Sequence, residues 1–184
     1  SGEIVNWLNT LCDAYRVADD YGKLRCQLAL FHKPLFGWKG SYVVARNGAE
    51  RTITWDHGPE GSIAEDAYFG LLAMQEGYSF DFIEGEMLEK SPFTTMDYLK
   101  QRKRWLEGLI LTVHSKKIHL TSKLALASSI YSWFLPPFII AYHFMILIGL
   151  ISPLPYCPIL DSILISIQAV YIYMVVFGAV RSFS

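Results

Sequence analysis

From Leu124 to Leu160 the chain carries no charged residue, and after Asp161 a second uncharged run extends from Ser162 to Val180. Each run matches or approaches the roughly 20 apolar residues that a helix needs to cross about 30 Å of hydrocarbon. The prolines in Ser152-Pro153-Leu154-Pro155-Tyr156-Cys157-Pro158 cannot continue a helix, so the two runs read as spans of a transmembrane α-helical hairpin, about 124–151 and 160–180. Pro136-Pro137 falls inside the first run and predicts a kink or a separate interfacial helix there.

The remainder has a different solvent. Of the 33 charged side chains, 31 lie in residues 1–123, leaving only Asp161 and Arg181 beyond. With a net charge of −1, neither a nucleic-acid binder nor a disordered acidic tail is expected. Cys12, Cys26 and Cys157 have no metal-ligand spacing, so neither a disulfide framework nor a closed zinc site is expected. Lys116, Lys117 and Lys123 precede the first span and Arg181 follows the second, while the connecting loop has no Lys or Arg. The positive-inside rule then places residues 1–123 in the cytosol.

Within residues 1–123 the pattern predicts a helix over 3–20, with Ile4, Trp7, Leu8, Leu11 and Tyr15 on one stripe. A turn at Asp19-Asp20-Tyr21-Gly22 should end it. Ser41–Ala45, Thr52–Trp55 and Tyr78–Ile83 read as strands. Ser62-Ile63-Ala64-Glu65 has the form of a capping box, and Gly77 is placed to stop the helix after it. Thr94 or Thr95 can cap a helix running to about His114. Strands alternating with helices predict an α/β domain over 1–123, followed by the membrane region 124–184.

Two places could carry chemistry. Gln101, Arg104 and Trp105 stand at i, i+3 and i+4 of the last predicted helix, so an amide, a guanidinium and an indole share one face. Arg offers a planar fork to phosphate oxygens, and Trp a flat apolar surface to a sugar ring. The same face would also suit a basic helix lying on anionic headgroups with Trp105 as interfacial anchor. The other place is Glu65-Asp66, at a helix start after a glycine-rich loop. An ionised carboxylate there can take a proton from an attacking hydroxyl. A capping role for Glu65 and a plain surface role for Asp66 are the alternatives.

In this order, an acidic pair, then Q-x-x-R-W, then membrane spans, the chain resembles the membrane-bound family-2 glycosyltransferases of the GT-A fold. The strings GSIAEDAYF, GYSFDFIEGEMLEKSPFT and QRKRWLEGLILTVHSK narrow the resemblance to the invertebrate β-1,4-mannosyltransferases of glycosphingolipid synthesis. KPLFGWKGSYVV and VFGAVRSFS fit the same group. The resemblance implies an inverting transfer of mannose from GDP-mannose to glucosylceramide, in an integral membrane protein of the ER or Golgi. By the same implication Asp66 is the general base, supported by Glu65, while Gln101, Arg104 and Trp105 hold donor and acceptor. Trp38, Gly40 and Ser41 would lie near the acceptor, and His57 could contact the donor or a metal; a turn glycine and an exposed loop histidine are the plainer readings of Gly40 and His57.

A divalent metal, Mg or Mn, is expected for the full-length enzyme through a D-x-D motif. That motif is missing here, because Asp19-Asp20 lacks the spacing. The chain is therefore expected to be the C-terminal portion of the catalytic domain, with no metal ligand of its own and no transfer activity by itself. Other expectations stay open: a related transferase for another sugar or acceptor, such as a ceramide glucosyltransferase or polysaccharide synthase, and a membrane adaptor with a lipid-docking helix. Glu84, Glu86 and Glu89 read as a solvated acidic loop, and His143 as a helix-packing residue.

Overall fold

A computed structural model describes residues 6–85, 92–155 and 157–183. Glu86 and Glu89 lie outside the described residues. Seven α-helices are described: α1 Trp7–Arg25, α2 Asn47–Ile53, α3 Glu65–Gln75, α4 Thr95–His114, α5 Leu120–Ser132, α6 Leu135–Leu147 and α7 Pro158–Phe183.

The strands predicted from alternation do not form. Among the described residues there is no strand; they are mostly helical, and the α/β expectation is not confirmed. Thr52 and Ile53 close α2, Ser41 and Tyr42 form a turn, and 78–83 has no regular structure. In that last segment Phe80 donates its N–H to the carbonyl of His32 at 3.1 Å, an isolated pairing. An alternating segment becomes a strand only when neighbouring strands supply the ladder.

α1 also departs from expectation, running through Asp19-Asp20 to Arg25 and on into a π-helical turn, Cys26–Leu30. Ion pairs at i, i+4 support the helix there, Arg16 with Asp20 at 2.9 Å and Lys23 with Asp19 at 2.7 Å. Gly22 is required by packing rather than by a turn, since a Cβ would come within 2.1 Å of the Met174 carbonyl oxygen on α7.

α3 is the centre of the packed body. Tyr68 and Leu71 are fully buried and pack with Val113 of α4, Ile118, and Leu126 and Ile130 of α5. Side chains of this size contribute about 1.5–3 kcal/mol each when fully buried. The Tyr68 hydroxyl reaches Ser115 Oγ at 2.8 Å, and Ser115 donates to Glu60 at 2.5 Å, so the buried phenol is satisfied. A second cluster, Ile53, Phe69 and Ala73, carries the stacked rings of Trp38 and Trp55.

α5 therefore packs into the body. The chain breaks between Ser132 and Leu135, with a bend of 42°, and α6 begins with Pro136-Pro137 in its first turn. α6 buries no residue, and its 13 residues span only about 20 Å at 1.5 Å each. α7 is long and apolar enough to cross a membrane, over Pro158–Arg181; α5 and α6 suffice only when the bent pair is taken as one span. Asp161 holds the start of α7, accepting from the Cys157 N–H at 3.1 Å, an acid at the positive helix end. The C-terminal half of α7 lies against α1, where Tyr15 and Tyr171 hydroxyls meet at 2.7 Å.

Candidate active site

The acidic pair opens α3. Glu65 is the first helical residue and Asp66 the second, because the N-cap is Ala64. The capping box does not form: Ser62 Oγ donates to the Pro59 carbonyl at 3.2 Å, and Glu65 stands too early in the helix to reach back. Glu65 is thereby released from the structural duty its spacing suggested. Asp66 Oδ2 accepts the backbone N–H of Gly40 at 3.0 Å, and Oδ1 accepts from Ala67 at 2.7 Å.

The amide, guanidinium and indole lie on α4, whose start is capped by Thr94 accepting the Asp97 N–H at 3.1 Å. One face carries Gln101, Arg104, Trp105 and, a turn further, Gly108. At Gly108 this face presses on the residue before the acidic pair, since a Cβ there would meet the Ala64 Cβ at 2.7 Å and its N at 2.8 Å. α4 thus crosses the start of α3 at backbone contact, one turn from Arg104.

The result is one cavity of about 1090 Å³ lined by Glu65, Asp66, Gln101, Arg104 and Trp105 together. Trp38, Gly40 and Ser41 line it as well. Buried Gln27 shapes the approach to Gly40: its Nε2 donates to the Gly37 carbonyl and its Oε1 accepts the Phe36 N–H, both at 2.7 Å. Arg104 is exposed and makes no ion pair among the described residues. Trp105 is half-buried, with the Arg102 guanidinium 4.2 Å from its ring centroid.

His57 is placed elsewhere. It is buried, stacks on Tyr68 at 4.8 Å, and does not line the cavity. Burial pushes its imidazole below the ordinary range, with the Lys117 cation adding to the effect. The histidine of a Gly/Pro loop is therefore a core residue, neither an exposed one nor a cavity contact.

Several cavity residues were not legible in the sequence. Asp13, Arg16, Asp19 and Asp20 come from α1, Arg102 from α4, and Ser129 and Trp133 from the end of α5. Their i, i+3 and i+4 spacings were visible, but nothing local marked the side that would meet α3. Burial pushes the Asp20 carboxyl above the ordinary range, opposed by Lys39 and Arg16. Asp19 pairs through Oδ2 with Lys23 and Asp20 with Arg16, while Asp19 Oδ1 is buried without a hydrogen-bond partner. Among the described residues no three His, Cys, Asp or Glu side chains converge to hold a metal.

A chain with an acidic helix start, a Q-x-x-R-W helix and a following apolar helix around one cavity has the parts of a sugar-transfer enzyme. It belongs to glycosyl transferase family group 2, whose profile matches residues 3–180. It is similar to the beta-1,4-mannosyltransferase bre-3 of Caenorhabditis elegans, 57% identical over 184 residues, the whole of this chain and 40% of that protein. The bre-3 protein of Caenorhabditis briggsae is 56% identical over the same length, again 40% of that protein. The beta-1,4-mannosyltransferase egh of Drosophila melanogaster is 53% identical over 182 residues, 98% of this chain and 39% of that protein. The chain thus spans about two-fifths of the length of the curated relatives it matches. No solved structure gives a significant match.

Proposed function

We propose that this chain is the acceptor-side part of an inverting β-1,4-mannosyltransferase that moves mannose from GDP-mannose to the 4-hydroxyl of glucosylceramide. The relatives named beta-1,4-mannosyltransferase support the sugar and the linkage. The observation that carries the mechanism is the single cavity holding Asp66 together with Gln101, Arg104 and Trp105.

Inversion needs one base and a stabilised leaving group, without a second nucleophile. Asp66, fixed by the Gly40 N–H, takes the proton of the acceptor hydroxyl as it attacks the anomeric carbon. Arg104 faces the departing diphosphate, Gln101 donates beside it, and Trp105 receives a sugar ring against its indole. Glu65 keeps the mouth of the site acidic and favours the cationic side chains around it.

The cavity extends to Ser129 and Trp133, near the break between α5 and the mostly exposed apolar α6. A sugar on a lipid can enter there with its tail on α6, which supports a glycolipid acceptor. The C-terminal end of α7, with Arg181, lies towards α1 rather than away from it. The length and apolarity of α7, with the basic flanks, support an integral membrane protein of the ER or Golgi whose catalytic body faces the cytosol, where a nucleotide sugar is supplied. A Mg²⁺ or Mn²⁺ ion, expected in the complete enzyme through a D-x-D motif, finds no set of three His, Cys, Asp or Glu ligands among the described residues.

The test is Asp66→Asn in the full-length protein, assayed for mannose transfer from GDP-mannose to glucosylceramide in detergent micelles. Turnover should fall by about 10²–10⁴-fold, the range for losing a general base, with GDP-mannose binding retained. Undiminished turnover would remove Asp66 from the chemistry. Equal turnover with another nucleotide sugar would overturn the assignment of mannose.

A further inference from the structure

Arg102 stands inside the Q-x-x-R-W string at a position the motif leaves open, yet it is one of the most heavily engaged side chains at the cavity. Its Nη2 donates to Asp13 Oδ1 at 2.9 Å and lies 3.4 Å from Gln101 Oε1. The guanidinium covers the Trp105 ring at 4.2 Å and the Tyr98 ring at 4.6 Å. Asp13 is 8% exposed at its side chain and also takes Arg16 Nε at 2.9 Å. Arg16 in turn lies 5.9 Å from the Trp105 centroid.

This pairing links α1 to α4 across the cavity. A carboxylate so deeply covered requires its cations, and the two arginines require it in turn. Arg102 Nε is buried without a hydrogen-bond partner. A guanidinium placed to saturate its hydrogen bonds would satisfy that group; this one lies over the indole instead, 4.2 Å from its centroid. Planarity makes Arg fit for such stacking, and Lys does not reproduce it.

We propose that Arg102, anchored by Asp13, is a positioning residue that fixes the tilt of Trp105 and so sets the affinity for the acceptor sugar. The two arginines of the string then divide their work. Arg104, exposed and without an ion pair among the described residues, is left to face the diphosphate. Arg102, already committed to Asp13, acts only through the indole. The inference rests on the transferase reading above, with Trp105 as the acceptor platform.

Kinetics of the full-length protein with GDP-mannose and glucosylceramide in micelles test it. Arg102→Gln and Asp13→Asn should each raise the acceptor KM about tenfold, the loss of one desolvated cation–ring contact, and leave the GDP-mannose KM within about twofold. The double variant should be no worse than the poorer single one, because both changes release the same ring. Arg102→Lys keeps the charge and should keep the melting temperature, with the acceptor KM raised about threefold or more. Additive losses, a parallel rise of both KM values, or an unchanged acceptor KM in Arg102→Lys would each overturn the proposal. Should Arg102→Gln fail to fold, the Lys variant decides by itself. Absence of transfer by the unmodified protein is the separate result that would overturn the transferase reading.

Discussion

Gly40 holds Asp66: its N–H lies 3.0 Å from the carboxylate Oδ2, and a Cβ on it would come 3.1 Å from the Asp66 Cβ. The glycine stands there because the loop backbone runs directly past the acidic side chain. No positive φ is involved, so the reason is proximity alone. Each oxygen of this carboxylate accepts one backbone N–H, Oδ2 from Gly40 and Oδ1 from Ala67, and each keeps a further lone pair for a hydroxyl.

Gly40→Ala should therefore displace Asp66 by a few tenths of an ångström without unfolding the loop. Turnover should fall about tenfold, equivalent to about 1.4 kcal/mol of transition-state stabilisation, with the melting temperature close to that of the parent. Steady-state kinetics beside a thermal melt of the full-length protein give both numbers. A variant of parental turnover would mean that the Gly40 contact does not aim the carboxylate.

Gly108 governs the approach of two helices instead of one side chain. With a Cβ 2.7 Å from that of Ala64, Gly108→Ala should cost about 1–3 kcal/mol of stability, as overpacking does. The same push separates the start of α3 from Arg104, so turnover should fall with stability. Chemical denaturation read together with activity checks the pair of effects; a stable and active variant would mean that α3 and α4 are not in backbone contact.

Trp133 lines the cavity beside the break before the apolar α6 and is 51% exposed. Trp133→Ala should raise the KM for glucosylceramide about three- to tenfold, the worth of one aromatic stacking contact, while GDP-mannose is used as before. Trp133→Phe should recover most of the loss. Equal KM values for parent and Ala variant would place the acceptor's entry elsewhere.

His57 gives a pH signature. Burial holds its folded pKa below the ordinary 6.5, so the folded protein binds this proton more weakly than the unfolded chain does. The resulting stability is fully present above about pH 6.5 and is lost as pH falls through the folded value. His57→Phe keeps a ring on Tyr68 and removes the titration. Between about pH 7.5 and pH 5 its melting temperature should therefore drop less than the parent's. Parallel curves for the two proteins would contradict the assignment of a buried neutral imidazole.

Much of the site was legible because the relevant spacings are local. Gln101, Arg104 and Trp105 share a face for any helix of 3.6 residues per turn, and Thr94 caps that helix as its sequence suggests. The helix stop at Gly77 follows from its φ of +85°. Residues whose role depends on a distant partner were not legible. Asp13 and Arg102 are 89 positions apart, and nothing in either neighbourhood announces the 2.9 Å contact. His57 sits in a loop by composition but under Tyr68 by packing.

The sequence alone determined the two long uncharged runs and which side chains share a helical face, while packing decided that the first of those runs begins inside the body, with Leu126 and Ile130 buried. Tertiary structure decided everything that required two elements to meet. Alternating segments stayed unpaired because no ladder reached them. The motif face of α4 came to Asp66 because Gly108 and Ala64 leave no side chain between two backbones. Periodicity is a property of one element, whereas convergence is set by the packing between elements, and a cleft exists only in the second.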